Sequence, residues 1–217
     1  MTSYDSPADV EDSFDDESQS LRRDSKPASL EAGVLAEGFT LLTVSYRGGP
    51  LNEAIYHKGL IGLAKAELEF YTRALDGVLS SRVGGRAIAV EGPAVVTEAS
   101  GGIPGVPFYM ALTMGIMGDQ FEDPLDSMRR MFRDNFKGDA TPTLDDEGLL
   151  RMDDRELSEE VQGPLRALYG ELTVGSEFPR ERFDAFMRAY AQTRGFEIEG
   201  VDYDAAFDTD AVCEVEA

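Results

Sequence analysis

The chain has 217 residues, with 42 Asp and Glu residues against 20 Lys and Arg residues and a formal net charge of -22 at pH 7. Its length is sufficient for one domain with a sizeable core, and its negative charge argues against nucleic acid or an anionic membrane as a partner. Because the acids are spread along the whole chain, they favour a salt-adapted (halophilic) surface over an acidic binding face.

Residues that occur only once restrict the chemistry further. Cys213 is the only cysteine and His57 the only histidine, which excludes disulfides within the chain and metal sites built on cysteine or on several histidines. A serine triad using His57 has no G-x-S-x-G elbow to support it, so we interpret this histidine as a surface residue or one at the approach to a helix. The first residues lack the basic and apolar parts of a secretory signal, and we therefore expect a cytoplasmic protein.

Composition divides the chain into three parts. Residues 1–28 are rich in Asp, Glu and Ser and predict a disordered acidic tail, because they cannot bury enough apolar area to offset the entropy of ordering. Residues 29–205 form the predicted folded region, and residues 206–217 form an acidic, frayed end.

The folded region opens on a short helical turn closed by Gly38, followed by a mostly apolar, β-branched run, FTLLTVSY (39–46). A continuous apolar run of this length predicts a parallel strand covered on both faces. The loop RGGP (47–50) then lies at the carboxyl end of that strand, where α/β folds place ligands.

A Tyr and Lys pair follows this loop. Aliphatic residues at three- and four-residue intervals predict a helix over about 60–79, which carries Lys65. A phenol beside an ammonium group suits proton transfer during hydride transfer, because the ammonium lowers the pKa of the phenol and can hold the sugar of a cofactor. Tyr56 precedes Lys65 by nine positions, which on one straight helix would place the two on opposite sides. We therefore predict that Tyr56 precedes the regular helix, with Gly59 easing the break.

The next segment supplies a second strand and an uncharged stretch. GGRAIAVE (84–91) predicts a buried strand, and GPAVVTEASGG (92–102) predicts a loop of small residues that lets a ligand approach the backbone. Residues 101–118 carry no charge, but Pro and Gly interrupt them too often for a membrane span. They predict a core helix or, alternatively, an adaptable pocket for an acyl chain.

The remaining segment predicts amphipathic helices over 124–137, 153–172 and 180–193. Four aspartates fit either a metal site or helix N-termini, and their occurrence in adjacent pairs favours helix N-termini: Asp145, Asp146, Asp153 and Asp154. GFEIEGVDYDA (195–205) predicts a last short strand, over about 197–202, and a turn.

Five segments, in order, resemble one family, the single-chain prokaryotic NADH-dependent enoyl reductases, which include the trans-2-enoyl-CoA reductases and the FabV-type enoyl-ACP reductases. The segments are AGVLAEGFTLLTVSYRGGP, AIYHKGLIGLAK, EGPAVVTEASGGIPGVPFYM, DDEGLLRMDDRELSEEVQ and GFEIEGVDYDA. The first is similar to the strand and SYIGP turn of the family, and the second to its signature of a tyrosine, eight residues and a lysine. Together they cover about residues 30–205.

The resemblance implies an α/β fold with a partial Rossmann-like (short-chain-dehydrogenase-like) parallel sheet and a helical substrate-binding portion. It implies that Tyr56 is the proton donor, that Lys65 contacts the ribose of NADH and tunes Tyr56, and that Tyr46 contacts the carbonyl region of the substrate. Four loop residues would border the nicotinamide: Ala94, Val95, Val96 and Thr97. Hydride would pass to the β-carbon of a trans-2-enoyl thioester, and the enolate held by Tyr56 would be protonated at the α-carbon. Residues 103–117 would line the acyl pocket.

The chain departs from the family pattern at several positions. Arg47 replaces an isoleucine of the turn, and Ala66 replaces a second lysine. Glu98 replaces a glutamine beside the expected cofactor, Arg155 replaces a tryptophan, and GLIG around Leu60 replaces GTIG.

The largest departure is that the NADH-binding half of the family, with its glycine-rich pyrophosphate turn, has no counterpart here. We therefore expect a catalytic region that acts on enoyl-CoA or enoyl-ACP together with a separate NADH-binding chain. The alternatives are a non-catalytic acyl-thioester-binding protein and an inactive truncated fragment. Some descriptions of the family associate FAD with the segment 195–205, but that segment contains no adenine or pyrophosphate site, so we do not expect FAD.

Overall fold

The computed structural model describes residues 28–138, 140–173, 175–177 and 180–206. The predicted tail up to residue 27 and the predicted acidic end from residue 207, which includes Cys213, lie outside the described residues. The described chain divides into two compact units. The first unit comprises the residues up to Leu41 and Thr72–Ala87, and the second comprises Leu42–Tyr71 and the residues from Ile88 onward.

The predicted parallel sheet is confirmed. Its strands are β1 (Thr40–Ser45), β2 (Arg86–Glu91) and β3 (Leu149–Arg151), in the spatial order β1-β2-β3. β2 and β3 pair in parallel with Ala89 opposite Leu149 and Glu91 opposite Arg151. β2 is buried along most of its length because it is the central strand, as its continuous apolar run predicts.

The predicted third strand over 197–202 is wrong. Residues 195–205 form exposed turns, in which the hydroxyl of Tyr203 donates to the carbonyl of Gly195 at 2.7 Å and accepts from the backbone N–H of Ile198 at 3.0 Å. The apolar residues that suggested a strand remain exposed, Phe196 by 59% and Val201 by 50%. The actual third strand, β3, has only three residues, too few to give a recognisable alternation in the sequence.

The helices follow the predicted order. They are α1 (Ala28–Glu31), α2 (Glu53–Tyr56), α3 (Leu60–Val83), α4 (Val106–Met117), α5 (Pro124–Asn135), α6 (Glu159–Glu171) and α7 (Arg180–Gln192), with 3-10 turns at Glu98–Gly101 and Gly118–Gln120. α6 begins six residues later than the predicted start at 153, because the chain first forms a turn after β3. Within the described ranges, none of these helices combines the length and apolarity needed to cross a bilayer.

The predicted helix caps at Asp145, Asp146, Asp153 and Asp154 are also wrong, because all four residues lie in the segments that flank β3. Asp145 accepts hydrogen bonds from the backbone N–H groups of Glu147 and Leu149 at 3.0 and 2.9 Å. A short carboxylate satisfies the N–H groups of a loop in the same way as those of a helix start, so sequence alone does not separate the two.

The uncharged segment forms the centre of the core, as predicted. α4 buries Tyr109, Met110 and Leu112, which pack in one apolar cluster with Leu165 of α6 and Phe186 of α7. A second cluster joins residues of β2, β3 and α5: Ile88, Val90, Met131, Leu150 and Met152. α4 is thus a core helix whose neighbours are helices of the second unit.

The break between α2 and α3 brings Gly59 against the backbone of Ile55 and Gly62 against that of His57. A Cβ atom at Gly62 would lie 2.3 Å from the carbonyl oxygen of His57, which is backbone and cannot move aside cheaply. Gly62→Ala is expected to lower the free energy of unfolding by about 1–3 kcal/mol. In the same helix a Cβ atom at Gly77 would point into open space, and Gly77→Ala should stabilise by about 0.5–1 kcal/mol. Urea unfolding of both variants checks this; equal effects would contradict the role of the His57 contact.

Candidate active site

A cavity of about 460 Å³ lies in the second unit, beside the carboxyl ends of β1 and β2. Residues of α3, α4 and α5 and of the loop after β2 complete its walls. The structure brings six of the predicted site residues to this cavity: Tyr46, Tyr56, Lys65, Ala94, Val95 and Thr97. Val96 is different, because its side chain is 4% exposed and packs in the α4 core cluster. It can support the loop from behind but does not line the cavity.

Tyr56 precedes the regular helix that carries Lys65, as predicted. It is the last residue of α2, and His57, which is exposed as expected, follows it before α3 begins. The ring of Tyr56 meets that of Tyr46 edge-on, with centroids 4.7 Å apart. Among the residues that the structure describes, no hydrogen-bond partner is found for the Tyr56 hydroxyl. Burial is the largest cause of its raised pKa, and the charge of Glu156 adds to it.

Lys65 lies on the first turns of α3, and its ammonium group donates to the carbonyl oxygen of Val44 at 3.2 Å. This contact holds the ammonium against the carboxyl end of β1, where it lines the cavity with Tyr56. The predicted lowering of the phenol pKa by lysine does not describe Tyr56 in this structure, whose pKa is raised by burial.

The loop after β2 enters its 3-10 turn through Thr97, whose backbone is extended. The backbone N–H of Thr97 donates to the hydroxyl of Ser100 at 3.0 Å, which closes the start of the turn. Gly92, Pro93 and Ala94 lie nearer the sheet and line the cavity. Ile103 and Met110 line it too, so the uncharged segment serves both as core and as cavity wall.

Sequence reasoning missed a buried carboxylate beside this cavity. Glu156 is fully buried and accepts hydrogen bonds from the hydroxyls of Tyr46 at 2.8 Å and Tyr109 at 2.6 Å. Its other oxygen accepts from the backbone N–H of Ala94 at 2.5 Å. The one signal in the sequence is that Glu156 lies in the segment DDEGLLRMDDRELSEEVQ, which resembles the family. Its partners are 47 to 110 residues away.

A second buried group of charges lies beside Ser45. The guanidinium of Arg47 donates to both oxygens of Glu69, at 2.5 and 3.3 Å, and lies 3.7 Å from Glu91. Ser45 donates to Glu69 at 2.8 Å, and Arg47 also pairs with exposed Glu147. Burial and the neighbouring Glu69 raise the pKa of Glu91 to about 7. Arg47, which departs from the family turn, thus supplies the positive charge that faces two buried carboxyl groups, Glu69 and Glu91.

Two further departures are also explained by ion pairs. Glu98 is not part of the cavity wall; its side chain is 76% exposed and lies 3.4 Å from Arg194. Arg155 donates to Glu122 at 2.9 Å. The negative charge expected beside a cofactor therefore faces Arg194 instead.

Comparison with known proteins gives two family matches. Residues 28–136 match the family described as the trans-2-enoyl-CoA reductase catalytic region. Residues 144–207 match the family described as the enoyl reductase FAD binding domain.

Curated relatives carry the name enoyl-[acyl-carrier-protein] reductase [NADH]. That of Marinomonas sp. (strain MWYL1) is 35% identical over 192 residues, covering 87% of this chain and 48% of the relative. That of Flavobacterium johnsoniae is 36% identical over 186 residues, covering 85% and 46%. The chain therefore spans about half the length of the curated relatives it matches.

The solved structures that match this chain are trans-2-enoyl-CoA reductases, and this chain again spans less than half of each. The trans-2-enoyl-CoA reductase of Clostridium acetobutulicum in complex with NAD matches with a TM-score of 0.75 and 30% identity, over 83% of this chain and 47% of that one. The Treponema denticola trans-2-enoyl-CoA reductase in complex with NAD matches with a TM-score of 0.71 and 31% identity, over 82% and 44%.

The described residues of the second match do not fit FAD. A pyrophosphate binds at the N-terminus of a helix, where the backbone N–H groups and the helix dipole attract negative charge. The first turn of α6 instead carries two carboxylates, Glu159 and Glu160, which would repel a pyrophosphate. The segment 195–205 consists of exposed turns.

Proposed function

Because this chain belongs to the trans-2-enoyl-CoA reductase family, we propose that it is the catalytic half of an NADH-dependent enoyl reductase. Its substrate is a trans-2-enoyl thioester of CoA or of acyl carrier protein, and it works with a separate NADH-binding chain. One observation carries the proposal: Tyr56, Lys65 and the loop at Ala94 share one cavity at the carboxyl ends of parallel strands.

Tyr56 is the proton donor in this proposal because of how the tyrosines at the cavity use their hydroxyl groups. Tyr46 and Tyr109 both donate to Glu156. In the part of the chain that the structure describes, the Tyr56 hydroxyl has no such partner, and its raised pKa keeps it protonated at neutral pH. Tyr56 can therefore donate to the thioester carbonyl, stabilise the enolate and supply the proton for the α-carbon.

NADH supplies the hydride for the β-carbon when it is bound. The nicotinamide end fits this chain, since Lys65 can hold a ribose and Ala94, Val95 and Thr97 can border the ring. Val96 supports that loop from the core. A strand followed by a glycine-rich turn for the pyrophosphate is not found among the described residues, so in this proposal the pyrophosphate is held outside them.

The apolar wall formed by Ile103, Val106 and Met110 suits the acyl chain of the substrate. Methionine adapts to chains of different shape, and this side of the cavity carries no formal charge. The acyl chain would thus lie along the start of α4 with its thioester directed toward Tyr56.

Reconstitution tests the proposal. The full chain is mixed with a candidate NADH-binding chain, or joined to the half of the Marinomonas relative that it does not match. NADH and crotonyl-CoA are then added. We expect NADH oxidation that depends on crotonyl-CoA. Calorimetric binding of crotonyl-CoA without oxidation in either arrangement would instead identify an acyl-thioester-binding protein, and neither binding nor oxidation would identify an inactive fragment.

A further inference from the structure

Glu156 is a buried carboxylate that the proposed reaction does not use. Its side chain is 0% exposed, and it lies in the turn between β3 and α6. A carboxylate in such a place is costly unless donors surround it. Glu156 has three of them, the hydroxyls of Tyr46 and Tyr109 and the backbone N–H of Ala94.

These three donors come from three different segments that line the cavity. Tyr46 follows β1 and packs edge-on against the proposed proton donor, Tyr56. Ala94 belongs to the loop that would border the nicotinamide, and its N–H bonds the second oxygen of the same carboxylate. One side chain therefore joins the loop after β1 to the loop after β2.

The hydroxyl of Tyr46 is fully used in this arrangement. It donates its only proton to Glu156 and accepts a hydrogen bond from the side-chain amide of Asn52 at 3.0 Å. Tyr109 is held similarly, since it donates to Glu156 and accepts from Gln162 at 3.3 Å. Burial, followed by the charge of Glu156, raises the pKa of both phenols, so both remain donors.

We propose that Glu156 is a positioning residue that fixes Tyr46 against Tyr56 and fixes the loop at Ala94, so that proton donor and hydride donor are held in one geometry. Tyr46 then acts as a wall for Tyr56. The resemblance alone implies instead that Tyr46 contacts the carbonyl region of the substrate. The inference rests on the proposed function for its kinetic consequence, but the hydrogen bonds to Glu156 can be tested without it.

The first test measures phenol ionisation in the chain alone. Glu156→Gln keeps the shape of the side chain and removes its charge, so Tyr46 and Tyr109 should ionise at lower pH. Near-ultraviolet absorbance should then record these phenols ionising at lower pH than in the unchanged chain, with circular dichroism confirming that the fold persists. Glu160→Gln, at an exposed position of α6, should leave the titration unchanged. An unchanged titration in Glu156→Gln would overturn the inference.

The second test uses the reconstituted enzyme. We expect Glu156→Gln to lower kcat by about tenfold to a hundredfold with KM for crotonyl-CoA little changed, since misalignment affects the reacting geometry more than binding. Tyr46→Phe should give a similar loss, and the double variant should lose no more than either single variant. Losses that multiply, or a raised KM with kcat intact, would mean that Tyr46 contacts the substrate and would refute the proposal.

The two proposals fail differently. If the unchanged chain, once reconstituted, does not oxidise NADH with crotonyl-CoA, the proposed function fails while the phenolate titration still tests Glu156. If Glu156→Gln does not fold, Tyr46→Phe carries the kinetic test, because it removes one donor to Glu156 and keeps the aromatic ring.

Discussion

Tyr56→Phe will lower kcat for NADH-dependent reduction of crotonyl-CoA by about a hundredfold to ten-thousandfold in the reconstituted enzyme, the range for loss of a positioned general acid. The substitution removes only the hydroxyl, and that hydroxyl has no hydrogen-bond partner among the described residues. The fold should therefore be unaffected. Stopped-flow or steady-state absorbance of NADH measures the loss.

Tyr169→Phe is the matched control. Tyr169 is also a partly buried tyrosine, and it packs edge-on against Phe108 with ring centroids 5.3 Å apart. It is not part of the cavity wall, so removing its hydroxyl should leave kcat within about twofold, as a change remote from the reacting atoms should. Equal losses in the two variants would contradict a special role for Tyr56.

The pH profile gives an independent check on Tyr56. A general acid must be protonated to act, and burial followed by Glu156 raises the pKa of this phenol above 10.0. The rate limited by proton donation should therefore remain constant through neutral pH and fall only above about pH 10. A fall with a midpoint near neutral pH would assign the proton to another group.

The parts of the fold that the sequence predicted are those with long, regular patterns. β2 and α3 follow from a continuous apolar run and from helical periodicity, respectively. β3 could not be predicted because it has three residues and its burial comes from its pairing with β2. Residues 197–202 have the strand pattern, but their apolar side chains remain exposed.

The candidate site was predictable in its short-range part and not in its long-range part. The break between Tyr56 and Lys65 follows from helix geometry over nine positions. The contact of Tyr46 with Glu156 joins residues 110 apart, and no local pattern reports it. Likewise Arg47 looks like a lone departure until the fold brings it to Glu69 and Glu91.

Two buried charged groups meet the end of β1, one around Glu69 and Arg47 and the other around Glu156. Successive side chains of an extended chain point to opposite sides, so neighbouring residues of one strand can reach both groups. Ser45 and Arg47 both contact Glu69, whereas Tyr46 between them contacts Glu156. A shift of β1 by one residue would turn each of these side chains toward the other charged group. The end of β1 therefore directs one buried charged group to each side.

Arg47→Met will lower the free energy of unfolding by about 3 kcal/mol at about pH 8, because it leaves the carboxyl groups of Glu69 and Glu91 buried without their cation. Arg129→Met is the matched control, since Arg129 forms an exposed ion pair with Asp126 at 3.3 Å and should cost less than about 1 kcal/mol. Urea unfolding measures both. Similar losses would contradict the role of the buried cluster.

The loss in Arg47→Met should shrink as the pH falls. In the unchanged protein the pKa of Glu91 is raised to about 7 from 4.5, so the folded state binds more protons than the unfolded state between these values. The contribution of Glu91 to stability therefore decreases as the pH rises through that window. Without Arg47 the pKa of Glu91 should rise further, which deepens the penalty at alkaline pH and relieves it near about pH 5. Glu91→Gln in the Arg47→Met background should remove most of this pH dependence, and its persistence there would assign it to another group.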